Sequence, residues 1–477
     1  MHRFQLFSLI IFWASISNCS NPISPKPENP FKNINLQILS DSTLAITWQG
    51  EFESEALLSL DRKVGEASWQ MDYTNVPAND SIYVDTLYSV HTDTVYSYRL
   101  RFKESDNSSS ISPSVALLSE RCVPVDFSAR QIDKSTIRIA WRDQSIGEAG
   151  FRIDRQVGND DWQIAYAKAD SNSYEYFDIT TTSSEISYRI AAYVGSSFSS
   201  FTEIVKIKLG SLTLANLYFG TEPTFEVMTW NIEEFPRFDT LTVSAVSQAI
   251  KALDIDIIGM QEIKSATAFQ QLLDSLGSWD GYRTNSAAYG INLAFVYNPA
   301  NITVNQYYEI FEHEDAFPRP PLVIELEWQN VPIIVINNHF KAQGDEDSQN
   351  RRLQACTLLE EYIRTNLADD NVIVIGDLND ELTDAQSVNV FWPFLSQPSA
   401  YKFADYSIAQ GSSKYWSYPT WPSHIDHILI TDELFGVFAN STSVIKTLLI
   451  ENYMEGGWNE YAVKISDHRP VALKLAF

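Results

Sequence analysis

The chain has 477 residues, 44% of them hydrophobic and 20% charged, and a formal net charge of −27. This balance excludes wholesale disorder, and the length exceeds one ordinary core, so about two to four domains are expected. About −20 of the charge falls after position 221, which excludes tight sequence-independent nucleic-acid binding through a basic stripe, because a polyanion meets net repulsion. Catalysis on a polyanion stays open where bound divalent cations invert the local field.

Residues 1–19 start with His2 and Arg3, run through FQLFSLIIFWASI, and end at Cys19. The apolar run is too brief for an ordinary membrane span. The stretch resembles a bacterial lipoprotein signal with a lipobox at Ile16, Ser17, Asn18 and Cys19. It implies a lipidated Cys19 as the mature N-terminus, a membrane anchor, and an outer-membrane or cell-surface location, with plain secretion as the alternative. Residues 20–31 contain SNPISPKPENP, a Pro-rich extended tether. Only Cys122 and Cys356 remain, too few for a disulfide framework. Cys356 shares helical spacing with Leu353, Leu359, Ile363 and Leu367 and reads as a small core residue.

An internal repeat follows. LDRKVGEASWQ at 60–70 is answered by IDRQVGNDDWQ at 153–163, an offset of about 93 residues. The same offset relates Trp48 to Trp141, and Tyr98 and Tyr188 sit late in the two units. Short alternating strands between polar turns are the pattern of a β-sandwich. Residues 32–120 and 121–212 thus resemble two fibronectin type III domains, all-β sandwiches that serve as spacers or contact carbohydrate or matrix.

From Thr221 the texture changes. FEVMTWNI, IDIIGMQEI, LAFVYNP, PLVIELEW, PIIVINNHF, VIVIGDLND, HIDHILIT and HRPVALKLAF read as strands. Helices are predicted over VSAVSQAIKAL, over 266–276, and around Ala355, which makes 221–477 an α/β domain with more strands than helices.

Polar residues gather where these apolar runs end: Asn231, Glu262, His339, and Asp377 with Asn379, joined by Asp426, Asp467 and His468. A single buried carboxylate at a strand end is usually a cap or an ion-pair member. Many strand ends doing the same share their desolvation cost only by converging on one site. Glu262 and Asp467, with an amide oxygen from Asn231, are hard ligands that suit Mg2+, Mn2+ or Ca2+. No cysteine cluster or HExxH pair points to zinc. Metal, His, Asp and Asn without a Ser or Cys nucleophile motif point to in-line attack by water on a phosphoester.

TWN at 229, QE at 261, NHF at 338, GDLND at 376, HIDHI at 424 and SDHRP at 466 together resemble the endonuclease/exonuclease/phosphatase superfamily, in family order. The resemblance implies a four-layer α/β/β/α sandwich with the site at one edge of the packed sheets. It implies that Glu262 is the principal metal ligand, with Asn231 and Asp467 beside it. Asp377 would orient or deprotonate the attacking water, and Asn379 would hold a non-bridging oxygen. His339 and His468 would contact the phosphate, and Asp426 would orient His468.

Arg351, Arg352 and Lys341 either steer phosphate or form surface ion pairs, His424 and His427 pack beside Asp426, and Tyr297 lines the groove or the core. The aromatic-rich segment 391–421 packs a loop, stacks on bases or dips into lipid. The expected activity is that of a metal-dependent phosphodiesterase, a nuclease on DNA or RNA. The alternatives are a phospholipid (sphingomyelinase-like) or inositol-phosphate phosphoesterase, and a non-catalytic adhesion lipoprotein.

Overall fold

A computed structural model describes residues 29–52, 56–103 and 109–477. The lipoprotein signal with Cys19 and the tether up to residue 28 lie outside the described residues. Among those described, no helix is long and apolar enough to cross a membrane. The described residues divide into two compact units, one of those up to 128 with 140–176 and 186–206, the other of 129–139, 177–185 and 207–477.

The first unit is β-rich. Strands Phe31–Ser40, Thr43–Gly50 and Ile82–Thr86 form one antiparallel sheet. Gln70–Pro77, Leu57–Val64 and Tyr96–Lys103 form the centre of another, and Gln163–Asp170, Gly150–Val157 and Ile186–Val194 repeat that order. The repeated aspartate has a structural cause. Asp61 and Asp154 are buried, and each carboxylate accepts from two arginines, Arg99 with Arg101 and Arg152 with Arg189. Trp48, Trp141, Tyr98 and Tyr188 are buried, and the Tyr98 hydroxyl donates to Asp85 at 2.6 Å. Cys122 is buried and free.

The second unit holds two six-stranded sheets. In one the order is Asp280–Arg283, Asn292–Tyr297, Ile257–Ile263, Phe225–Phe235, Val471–Leu475, Val444–Thr447. In the other it is Ile302–Glu309, Leu322–Trp328, Val331–His339, Val372–Asp377, Asp426–Thr431, Tyr401–Phe403. Each sheet has one parallel pair joined through a long helix: α1 (Asp239–Leu253) links 225–235 to 257–263, and α3 (Glu346–Asn366) links 331–339 to 372–377. Between them in sequence lies α2 (Ala266–Leu276), whose cap Ser265 accepts from the Ala268 N–H. The short strands at 280–283, 302–309, 401–403 and 444–447 carry weak apolar runs and were not legible in the sequence.

Period-two alternation sorts the side chains. Met228, Trp230, Ile258 and Met260 pack against α1 and α2, while Ile334, Ile336, Val372 and Val374 pack against α3, where Cys356 is fully buried. The opposite faces, Phe225, Val227 and Ile257 from one sheet and Ile333, Val335, Ile373 and Ile375 from the other, share a single core. Each inner face therefore reads apolar first. Continuing by twos, 225 and 227 lead to Thr229 and Asn231; 333 and 335 lead to Asn337 and His339; 373 and 375 lead to Asp377. The alternation that builds the core delivers the polar residues to one edge of it.

Candidate active site

At that edge the inner-face residues meet. Asp377 Oδ2 accepts from Asn231 Nδ2 at 2.9 Å and faces His339 Nε2 at 3.5 Å and His468 Nε2 at 3.9 Å. Register explains the meeting: His339 pairs with Asp377, Asp377 with Asp426, and Asn231 with Gln261. Asp426 opens one strand and His468 precedes another, both antiparallel to their neighbours, so these two reach the same edge from amino ends.

Two backbone features are required here. By alternation Glu262 would face away from Gln261. It takes a left-handed conformation, φ 64°, where the pairing with strand 292–297 is shifted, and its Oε1 lies 3.4 Å from Asn231 Nδ2 and 3.8 Å from His339 Nε2. The Glu234 N–H donates to its other oxygen at 3.0 Å. Gly376 has φ 152°, and a Cβ there would sit 2.1 Å from the Asn338 carbonyl oxygen. Only glycine admits that approach between the parallel strands carrying His339 and Asp377.

Asn379, at φ 55°, donates its N–H to Asp377 Oδ1 at 3.1 Å and its amide to the Phe340 carbonyl at 3.3 Å. His468 Nδ1 donates to Asp426 Oδ2 at 2.8 Å, and the Asp467 N–H donates to Glu233 Oε2 at 3.0 Å. Ser466 ties this turn to the first sheet, its hydroxyl donating to the Asn231 carbonyl at 2.7 Å.

The electrostatics follow from burial and neighbours. Burial raises the Asp377 carboxyl toward neutrality against the opposing pull of His468, with Asp426 and Glu262 raising it further. Burial alone would discharge His468, but the charges of Asp426 and Asp377 outweigh it and push the imidazole up to about 10. His339 goes the other way: burial, then the positive charges of Arg319 and His468, hold it well below its ordinary value, and its Nδ1 is buried without a partner. One histidine is thus held charged and the other neutral.

The expected metal set is not uniform. Asn231 turns its amide nitrogen toward Glu262 and Asp377 while its oxygen accepts from the Glu233 N–H at 3.0 Å, so here it acts as a donor, a departure from the oxygen-ligand expectation. Glu262 and Asp467 keep 19% and 27% of their side-chain surface exposed. Neither is paired with a lysine or arginine among the described residues. Hard carboxylate oxygens that are partly open to solvent and closed by no lysine or arginine fit a hard divalent cation. Asp377, Asp426 and His468 form a further group with ligand atoms within 4.8 Å of one another.

Other expectations are redirected. Arg352 closes on Asp380 at 2.8 Å and on the Lys341 and Gln343 carbonyls, Arg351 on the Asp315 carbonyl, and Lys341 on the Ala342 carbonyl. Tyr297 pairs with Ile257, at the far end of the strand from Glu262, and lies in the inter-sheet core. His424 and His427 both bond Asp405 Oδ2, at 3.0 and 2.6 Å, and His427 Nε2 donates to the Asp380 carbonyl. With an acceptor at each nitrogen, His427 carries both protons, and it is buried against Asp405 as an ion pair.

Two residues at the site were missed. The Tyr418 ring lies 4.7 Å from that of His468, and Arg319, buried with an unpartnered Nε, donates to the Phe340 carbonyl and feels Glu262 and Asp377. Tyr418 belongs to the aromatic segment already noted; Arg319, between two prolines, carried no sequence signal.

Several solved structures are similar. D. rerio TDP2 complexed with a single-strand DNA product is 13% identical, over 54% of this chain and 100% of that one, with a TM-score of 0.42. The human Nocturnin catalytic domain with bound sulfate is 18% identical, over 54% and 96%, at 0.40. A Bacteroides thetaiotaomicron mannosyl-6-phosphatase is 15% identical, over 53% and 100%, at 0.38. No curated protein matches the sequence. The profile of the Endonuclease/Exonuclease/phosphatase family matches residues 228–468, just over half of the chain and the span from Met228 to His468 that contains every residue of the site, and the protein belongs to that family.

Proposed function

We propose that the chain is a divalent-metal-dependent phosphodiesterase, a nuclease that hydrolyses DNA or RNA by in-line attack of water. The observation that carries this reading is the convergence of Asn231, His339 and His468 on one oxygen of Asp377, with Glu262 beside them. Glu262 and Asp467 would hold the cation, which supplies Lewis-acid stabilisation of charge on the phosphoryl oxygens when bound.

The chain's own residues do the rest. Asp377, with its pKa raised toward neutrality, accepts a proton from water as the water oxygen bonds to phosphorus; the bond to the departing oxygen breaks, and that oxygen takes a proton from solvent. The Asn379 N–H holds Asp377 in orientation. His468, kept cationic by Asp426, stabilises charge as it builds on the phosphate, and neutral His339 offers a hydrogen bond without a competing charge.

Around this domain we read a four-layer α/β/β/α sandwich, supported by helices on the outer face of each sheet and a core between them. The repeated Asp-Arg, Trp and Tyr positions support two fibronectin type III-like domains at 32–120 and 121–212. The Cys19 lipobox supports export and a lipid anchor.

The test is hydrolysis in Mg2+, Mn2+ or Ca2+ of plasmid DNA, RNA, sphingomyelin and inositol phosphates. Cleavage of nucleic acid is expected. Turnover of lipid or sugar phosphate alone overturns the nuclease reading, and no turnover of any substrate by folded, metal-loaded protein overturns the enzyme reading.

A further inference from the structure

The aromatic residues near the site fall into two groups. Phe391 and Phe403 pack edge-on against His427, and Phe394 packs against Tyr401, all buried. Trp392, Tyr406 and Tyr415 are partly exposed, and Trp421 is more exposed than any of them, at 75%. It stands in a tight turn closed by reciprocal backbone bonds between Tyr418 and Ser423, at 3.0 and 3.2 Å, with Pro419 and Pro422 restricting φ and the Ser423 hydroxyl donating to the Trp421 carbonyl at 2.7 Å. Tyr418, at the base of the turn, lies on His468. Three residues of chain place the Trp421 Cα within about 11 Å of the Tyr418 Cα. The arm is fastened to the site by Arg469, whose N–H donates to the Ser417 carbonyl at 2.7 Å and whose Nη1 donates to Lys414 and Trp416 carbonyls.

A second exposed ring lies in the turn at 288–290. Tyr289 is 95% exposed and has φ 60°, ψ 14°, a conformation a bulky residue rarely adopts. Its neighbour Ala288 donates to the Pro318 carbonyl at 3.2 Å, and Arg319, the next residue, bonds the Phe340 carbonyl beside His339. These bonds link the turn that carries Tyr289 through Pro318 and Arg319 to the strand end at His339, as Tyr418 links the turn that carries Trp421 to His468.

The two rings are far apart in sequence and each is set among proline, threonine, serine, alanine and glycine, so neither sits in the continuous apolar run that a bilayer would take up. The domain around them is acidic, so a polyanion gains little from long-range attraction and needs a contact that does not depend on charge. Base-on-aromatic stacking is such a contact, and it requires bases that are not paired.

We propose that Trp421 and Tyr289 are stacking platforms for unpaired nucleobases on the two sides of the scissile phosphate, so that single-stranded nucleic acid is the substrate class. This rests on the phosphodiesterase reading. The experiment compares wild type, Trp421→Ala, Trp421→Phe and Tyr289→Ala in Mg2+ on a single-stranded oligonucleotide and on an abasic strand with the same phosphates. Each alanine variant is expected to lower kcat/KM for the base-bearing strand by about 5- to 150-fold, with Trp421→Phe retaining most activity and the abasic strand cut equally by all. An abasic strand that even wild type does not cut also supports stacking, since only the bases differ. An equal fall on both strands, or no fall on either, overturns the proposal. So does loss of binding to phosphatidylcholine–sphingomyelin vesicles with oligonucleotide cleavage intact, which would assign the rings to lipid. A wild type that cuts neither strand yet hydrolyses another phosphoester overturns the nuclease reading itself, and wild type alone reveals that failure.

Discussion

Gln261 and Asn337 meet across the two sheets, the Gln261 amide donating to Asn337 Oδ1 at 2.7 Å in a fully buried layer. Gln261 also reaches Thr229, and the Asn337 amide donates to the Met260 and Ala294 carbonyls. Apolar faces slide past one another at little cost, whereas a directional amide pair has one good register. That register sets Glu262, next to Gln261, opposite His339, two residues beyond Asn337. Gly259 makes room, because a Cβ there would sit 2.4 Å from the Ile375 side chain.

Gln261→Leu leaves Asn337 Oδ1 without its donor and is expected to cost about 1–3 kcal/mol in urea unfolding. Adding Asn337→Leu removes that orphan but takes the amide donor from the Met260 and Ala294 carbonyls, so little of that stability is recovered. Activity is expected to stay low in the double variant, since the register device is gone; full recovery of kcat would refute it.

Asp426→Asn removes the charge that keeps His468 protonated. A fall in kcat of about 100- to 10,000-fold is expected, with KM little changed. In metal-free protein, NMR titration should show the His468 imidazole, pushed up to about 10 in wild type, losing its proton at lower pH in the variant.

Glu262→Gln should raise the concentration of Mg2+ needed for half-maximal activity and weaken thermal stabilisation by the ion. For wild type, Mg2+ at about 100 times its Kd should add about 2.7 kcal/mol to stability, and chelation should abolish hydrolysis reversibly. Identical Mg2+ dependence in the variant would remove Glu262 from the metal set.

Away from the site, Glu226 and Asp256 are buried together. The Glu226 N–H donates to Asp256 at 2.8 Å, and Asn301 donates to the other Asp256 oxygen. Burial raises both carboxyls, and the charge of Asp256 raises Glu226 further. With folded values above unfolded ones, their stabilising effect is complete below the ordinary carboxylate range and is lost as pH rises through neutrality into the alkaline range. Glu226→Gln should flatten that decline, so urea midpoints of variant and wild type should diverge in the variant's favour as pH increases.

Much of this molecule was legible before any coordinates. VIVIGDLND alone announces a buried strand that ends in polar chemistry, because four β-branched residues need a core and Asp377 needs an outlet from it. The helix at 266–276 and the burial of Cys356, Leu359, Ile363 and Leu367 came from periodicity, although Leu353 of the same stripe is exposed. The order of the polar motifs identified the candidate site, since residue type states what a group can bind. Sequence could not decide which neighbours those groups would have. That Glu262 turns inward depends on a left-handed backbone and a shifted pairing; that Asn231 presents its nitrogen depends on the Glu233 N–H; that Arg352 faces Asp380 depends on where α3 docks. The same lack hid Arg319 and left Trp421 indistinguishable from the packed aromatics around it. Local pattern fixes which face a side chain takes, because alternation and helical period are properties of consecutive residues. Charge state, partner and exposure are set by groups more than a hundred positions away, as Asp377 is by Asn231, and only the packing of the two sheets brings those groups within reach.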